Sequence, residues 1–263
     1  MKTIVKKFLR FFTRLILKKY EPDIIGIAGS VGKRGLKKLV VKVLSTKFRV
    51  VGNPDAHNNE FGLPLAVIGM VDPGRSVYGW CQIFLRAFKL ILKRDKNYPE
   101  VLVLEMLASK PGDLKHLTSM APCKVGVVTS LNEAYLEYFK TLKKLSQELR
   151  LMISTLDKNS FAILNRDEED IFVMGNKTEA DIFTFGFHVE ADVRASDVLF
   201  KTGEAGETIG IYFKISYHGS MVPMYLFDAK RQEDVYPALA AIAIALVMGL
   251  NLVEISEILK EVE

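Results

Sequence analysis

The residues from Asp23 to Gly52 run as a short apolar stretch (DIIGIA), a glycine-rich turn, a helix-length stretch with apolar spacing and a β-branched run. That order predicts a strand, loop, helix, strand unit. Two parallel strands joined in this way need a right-handed crossover, which puts the loop at the carboxyl end of the first strand, where open α/β sheets bind ligands. Continuous apolar runs at Val101 to Met106 and Lys124 to Leu131 predict strands covered on both faces. Between them Pro111 to Ala121 reads as a short helix, and Glu133 to Leu156 as a longer helical stretch. Strands are expected again at Phe161 to Asn165 and Asp181 to Gly186. Beyond them DVRASDVLF, ETIGIYFKISYHG and SMVPMYLFDA alternate apolar and polar residues between glycine turns, which predicts antiparallel strands. Two helices close the chain, with Gly249 a stop for the first. The expected fold class is α/β: a P-loop-type, Rossmann-like, mostly parallel sheet flanked by helices, with a small antiparallel annex near the carboxyl terminus.

The first twenty residues, MKTIVKKFLRFFTRLILKKY, follow another rule. Phe8, Phe11, Phe12, Leu15 and Ile16 supply an apolar side, and Lys6, Arg10, Arg14 and Lys18 recur every fourth residue beside it, the pattern of a basic amphipathic helix. Arg10 and Arg14 interrupt the apolar run, which falls short of the ~20 residues a bilayer-spanning helix needs, and no small-residue cleavage site follows. Two readings of residues 1–20 stand side by side. The helix either docks on its own domain, residues 21–263, or attaches to an anionic membrane surface through residues 2–19. Trp80 to Arg94, WCQIFLRAFKLILKR, has the same character.

Composition narrows the classes. A chain of 263 residues that is 49% hydrophobic holds a sizeable core and is not disordered. Cys81 and Cys123 are too few for a disulfide framework or a zinc site, so a reducing cytoplasm is expected, with a peripheral place at the inner face of the membrane on the second reading of the helix. The net charge of +5 is unevenly spread: Lys2 to Lys19 hold seven basic residues and no acidic one. Lys110, Lys115, Lys143 and Lys144 lack aromatic interleaving and read as solvated faces, so no nucleic acid is expected. His57, His116, His188 and His218 are scattered, and none is assigned a catalytic role.

The sharpest chemical signal is GSVGK, formed by Gly29, Ser30, Val31, Gly32 and Lys33, with Arg34 next in line. Glycines let the backbone approach a phosphate chain, successive N–H groups and a helix N-terminus attract its charge, and a lysine adds a cation. A full Walker sequence would have glycine at Ile27 and Ser or Thr at Arg34. The missing hydroxyl matters, because it ligates the magnesium ion that bridges the phosphates.

GIAGSVGK, NNEFGLPLAVIGM (Asn58 to Met70), LVLEMLASKPGDLKHLTSMAPCKVGVVTSLNEAYLEYFKTL (Leu102 to Leu142) and FAILNRDEE (Phe161 to Glu169), taken in order, resemble the ATP-binding middle domain of the Mur ligases. Within that family the type that adds D-alanyl-D-alanine to the UDP-N-acetylmuramoyl tripeptide is the most similar. The resemblance implies ATP-dependent formation of an acyl phosphate, its displacement by an amino group, two magnesium ions and a place in peptidoglycan precursor synthesis. Lys33 then matches the phosphate-binding lysine and Glu105 the acidic magnesium ligand, although a plain strand-end carboxylate is the other reading of Glu105. Asn58 and Asn59 match paired asparagines on the substrate side, and Asn165 with Asp167 match a stretch on the nucleotide side.

The departures fall on the chemistry. Arg34 stands for a magnesium-binding hydroxyl, Tyr135 for a metal-binding histidine and Leu149 for a carbamylated lysine, while Arg231 to Pro237 lack the family's histidine and adenine-facing asparagine. Together they remove most of the charge neutralisation that phosphoryl transfer depends on. The amino-terminal UDP-sugar domain and the carboxyl-terminal closing domain of a complete ligase also have no match in this sequence. The expectation is therefore a nucleotide-binding domain with ATP as ligand, weakened magnesium binding and lost catalysis. It would act by nucleotide binding or by supporting a complete Mur ligase or another envelope-synthesis protein. The alternative is an active D-alanyl-D-alanine-adding ligase or ATPase completed by a separate domain, with Arg34 contacting a phosphate oxygen in place of the ion.

Overall fold

The computed structural model describes residues 2–133, 136–204 and 206–260. Helix α1 (Lys2–Tyr20) leads into β1 (Asp23–Ala28), followed by α2 (Lys33–Leu44), β2 (Val50–Gly52), α3 (Gly62–Ile68), α4 (Val77–Leu92) and β3 (Val101–Glu105). Next come α5 (Asp113–Met120), β4 (Val125–Val128), α6 (Leu136–Phe139), α7 (Leu142–Ser154), β5 (Phe161–Asn165), α8 (Glu169–Phe172) and β6 (Asp181–Gly186). Strands β7 (Val193–Thr202), β8 (Thr208–Tyr217) and β9 (Ser220–Phe227) precede α9 (Tyr236–Val247) and α10 (Leu252–Lys260).

The strands form one sheet in the order β2-β3-β1-β4-β5-β6-β7-β8-β9. Neighbours from β2 through β7 are parallel, and β7, β8 and β9 pair antiparallel. The antiparallel annex thus continues the main sheet. The chain leaves β1 toward β2 and β3 on one side and returns to β4 on the other, so β1 sits where the strand order reverses and a crevice opens at the carboxyl ends.

Alternate side chains feed two apolar layers. Ile24, Ala28, Leu102 and Leu104 face the layer of α1, α3, α4, α5 and α7, while Ile25, Ile27, Val101 and Val103 face α2, α9 and α10. Double coverage is why the parallel strands read as unbroken apolar runs. Strand β8 buries Ile211, Phe213 and Ile215 under the second layer only and exposes Tyr212, which restores the alternation seen in its sequence.

Helix α1 docks on its own domain. Leu9, Phe12, Thr13, Ile16 and Leu17 are buried, Lys6 pairs with Glu60, and Lys19 Nζ donates to the carbonyls of Leu90 (2.9 Å) and Ile91 (2.6 Å). The long helical stretch expected over Glu133 to Leu156 is broken. Lys140 takes a left-handed conformation (φ 62°), and Thr141 accepts the Lys144 N–H through its hydroxyl to start α7 afresh.

Candidate functional site

The turn after β1 is shaped by two glycines. Gly29 (φ 132°) and Gly32 (φ 84°) adopt conformations that side-chain-bearing residues avoid, and a Cβ on Gly29 would collide with the Thr129 hydroxyl. The turn is stitched to the segment following β4. Ser30 N–H donates to Ser130 O and Val31 N–H to Ser130 Oγ, both at 2.9 Å, and the Thr129 hydroxyl donates to Val31 O. Those two amides are already engaged. The anion-attracting part of the turn is therefore the first turn of α2, which no side chain caps at Gly32.

Lys33 is buried and folds its ammonium back over the turn, donating to Gly29 O (2.6 Å) and Ser30 O (3.3 Å). One helical turn on, Lys37 is buried as well. Its Nζ donates to Asn53 O (2.8 Å) and Asp55 Oδ1 (2.6 Å) and lies 3.5 Å from Glu105 Oε2. The guanidinium of Arg34 reaches the other oxygen of Asp55 at 3.3 Å. The hydrogen bond from Lys37, backed by the charges of Lys37, Arg34 and Lys38 against the opposing effect of burial, holds the Asp55 carboxyl below the usual carboxylate range.

Glu105 ends β3 directly beside Ile27 of β1, and only 3% of it is exposed. Its Oε1 accepts from Asn58 Nδ2 at 3.2 Å, whereas its Oε2 has no hydrogen-bond donor among the described residues. Asn53 fixes the strand end by accepting Glu105 N–H (2.8 Å) and donating to Glu105 O (2.9 Å). Ser30, Gly32, Lys33, Arg34, Gly35, Asn58, Glu105 and Leu107 line one cleft of about 410 Å³. A helix N-terminus beside the cations of Lys33 and Arg34 suits the cleft to a polyphosphate anion.

The structure gathers most of the residues singled out from sequence and disperses the rest. Asn59 turns away from the cleft and accepts the N–H groups of Phe61 (3.0 Å) and Gly62 (3.1 Å) to begin α3. Asn165 is fully buried, donating to Glu168 Oε1 and accepting Asp167 N–H. Asp167 ties a turn together by accepting the N–H groups of Phe187 and His188 (both 2.7 Å) and the Tyr236 hydroxyl (3.0 Å). Glu168 links this group to the loop region by accepting Leu131 N–H at 3.4 Å, and burial pushes its carboxyl up. Leu149 sits on the buried side of α7 in the core, and Tyr135 falls outside the described residues. Arg231 pairs with Asp234, while Pro237 at the start of α9 comes beside Gly32.

Sequence reasoning passed over Lys37, Asn53 and Asp55. The signal was present: Lys37 is four residues from Lys33, the spacing that sets two side chains on one helix face. His57 is buried beside the same network, with Nε2 accepting Asp72 N–H at 3.3 Å and Nδ1 without a hydrogen-bond partner among the described residues. Burial lowers its pKa. Among the described residues no group of three His, Cys, Asp or Glu side chains is placed to hold a metal ion, and no helix is long and apolar enough to cross a membrane.

The model of the Mur ligase middle domain matches residues 85–245, well over half of the chain. The UDP-N-acetylmuramoyl-tripeptide--D-alanyl-D-alanine ligase of Mycobacterium leprae is 33% identical over 145 residues, covering 55% of this chain and 23% of that protein. The Bacillus subtilis ligase of the same name is 24% identical over 160 residues, covering 61% of this chain and 30% of the relative. Among solved structures, MurF from Acinetobacter baumannii superposes with a TM-score of 0.78 at 16% identity, covering 98% of this chain and 50% of that one. MurF ligase from Thermotoga maritima in complex with ADP gives 0.74 at 23% identity, covering 95% and 52%. The chain therefore spans about a quarter to a third of these curated relatives and about half of the solved structures.

Proposed function

Because the chain belongs to the Mur ligase family through its middle domain, we propose that it binds a nucleoside polyphosphate such as ATP in the cleft between the Gly29 to Lys33 turn and Glu105. We further infer that it serves peptidoglycan precursor synthesis by binding, without phosphorylating a carboxylate itself. The observation that carries this reading is the chain of charges Arg34, Asp55, Lys37, Glu105. It sets a fixed ammonium 3.5 Å from the carboxylate that a magnesium ion would need, and a guanidinium where the family resemblance places a metal-binding hydroxyl.

The donor set does not fit a two-ion centre. Among the described residues Glu105 is the one carboxylate lining the cleft, and Leu149 is committed to the core. A single magnesium ion would have Glu105 and the phosphates as ligands, as hard cations held by one carboxylate plus substrate do. In this reading Lys33 and the first turn of α2 hold the phosphates, Arg34 neutralises an outer phosphate oxygen as a planar cation, and Asn58 with Asn53 keeps Glu105 in place. The partner is a complete Mur ligase or another envelope-synthesis protein that recognises the nucleotide-loaded domain.

Calorimetric titration of the purified chain with ATP, with magnesium or with chelator, tests this. Expected is binding whose affinity changes little when magnesium is removed. Lys33→Ala should weaken it about tenfold, the worth of a charge-assisted hydrogen bond. Arg34→Thr should make binding depend on magnesium. Sustained phosphate release would overturn the loss of catalysis, and absence of ATP binding under both conditions would overturn the nucleotide assignment.

A further inference from the structure

The outward stripe of α1 is apolar and cationic at once. With Leu9, Phe12, Ile16 and Leu17 turned inward, Lys7, Phe11, Arg14 and Lys18 face solvent at three- to four-residue spacing, with Phe8 exposed beside Lys7. Helix α4 behaves alike: it buries Ile83, Ala87 and Leu90 and turns out Tyr78, Leu85, Phe88 and Leu92, of which Tyr78 is 73% and Leu92 81% exposed. The two stripes adjoin. Phe12 packs on Phe88 with ring centroids 5.1 Å apart, and Phe8 on Phe84 at 6.4 Å. A contiguous run of exposed aromatic and aliphatic side chains of this kind marks a contact surface.

The charge carried by the two helices themselves has one sign. Neither Lys2 to Tyr20 nor Val77 to Leu92 contains an acidic residue, and Lys89, Lys93 and Arg94 are exposed around Leu92. Two flanking carboxylates are already engaged, Glu60 by Lys6 and Asp95 by Arg86. Lysine and arginine stems lie along apolar surface while their heads reach outward, which suits a boundary that is apolar below and anionic above.

We propose that the joint α1 and α4 face docks on an anionic lipid bilayer, with Phe8, Phe11, Leu85, Phe88 and Leu92 entering to the depth of the acyl boundary and the surrounding cations pairing with headgroups. A second copy is a poorer occupant, because a two-fold contact sets this face against itself and brings like charges together. The surface stands apart from the nucleotide reading. The Lys6 to Glu60 pair ties α1 to the segment that carries Asn58, a residue lining the cleft.

The full chain is sedimented with phosphatidylcholine vesicles, with and without phosphatidylglycerol. Binding is expected only to the anionic vesicles and is expected to fall as salt rises. Lys18→Gln and Lys89→Gln should each weaken it about fivefold, the worth of one cation near such a surface. Leu85→Glu combined with Leu92→Glu should abolish it; both positions are exposed, and an unchanged thermal midpoint verifies the fold. Equal binding to neutral vesicles, binding that survives the paired glutamates, or no binding to either vesicle overturns the proposal. So does a concentration-dependent dimer that the same glutamates dissolve.

Discussion

The imidazole of His57 is held neutral by burial, with its Nε2 accepting a backbone N–H. Its folded pKa lies below the usual 6.5, so at pH values under 6.5 the unfolded chain takes up a proton that the folded chain does not. Stability is thus unaffected above that value and falls as the pH drops through it. His57→Gln keeps an acceptor for Asp72 and removes the titration, so the variant should lose less of its thermal midpoint than the parent between about pH 7.5 and about pH 5.5. Equal losses in the two proteins would show that His57 does not titrate on unfolding. At this scale Lys33 and Arg34 were legible because a glycine turn between strand and helix fixes where its neighbours point, whereas Asn58 and Glu105 were singled out only through the family resemblance. Asp55 was not, because its meaning lies in two cations from another element, Arg34 and Lys37, that approach only when α2 packs beside the loop after β2.

Among the elements, α5 owes its start to a residue far along the chain. Glu148 of α7 accepts Gly112 N–H (2.7 Å) and Leu114 N–H (2.8 Å), two donors that local capping rules would leave to a neighbour in sequence. Replacing it by leucine leaves the buried Leu114 N–H unsatisfied and gives the Gly112 N–H up to solvent, and urea unfolding should report a loss of about 1–3 kcal/mol. A change within about 0.5 kcal/mol would mean that water serves the helix start equally well. The span of α5 was readable from its apolar spacing, yet its cap was not, because the two partners are 36 residues apart. The break between α6 and α7 was hidden for the opposite reason. Periodicity continues across Lys140, and only the left-handed backbone there, with Thr141 capping, interrupts the helix.

For the molecule as a whole, α1 belongs to the folded body. Burial of Leu9, Phe12, Ile16 and Leu17, at ~1.5–3 kcal/mol each, is comparable with the ~5–15 kcal/mol that stabilises a typical domain. The central amides of α1 are therefore expected to exchange with deuterium only through global unfolding, at the slow rate of β1 and β4. Exchange of α1 well ahead of the sheet would identify a detachable helix instead. Its amphipathic pattern announced a boundary between apolar and polar surroundings without saying what lies on the apolar side, which is why sequence left docking and membrane attachment both open. Strand order was closed to sequence reading too, since β1 finds β3 and β4 across long separations, while only the local hairpins from β7 to β9 carry their pairing in adjacent text.

The ends of that nine-stranded sheet have a consequence for how copies can meet. At one end β2 offers only the three residues Val50–Gly52, and at the other β9 carries Pro223, which lacks a backbone donor. A short rim and a proline rim both resist accretion by strand addition. Self-association of this molecule is thereby turned toward side-chain contacts, where a single substitution can weaken it.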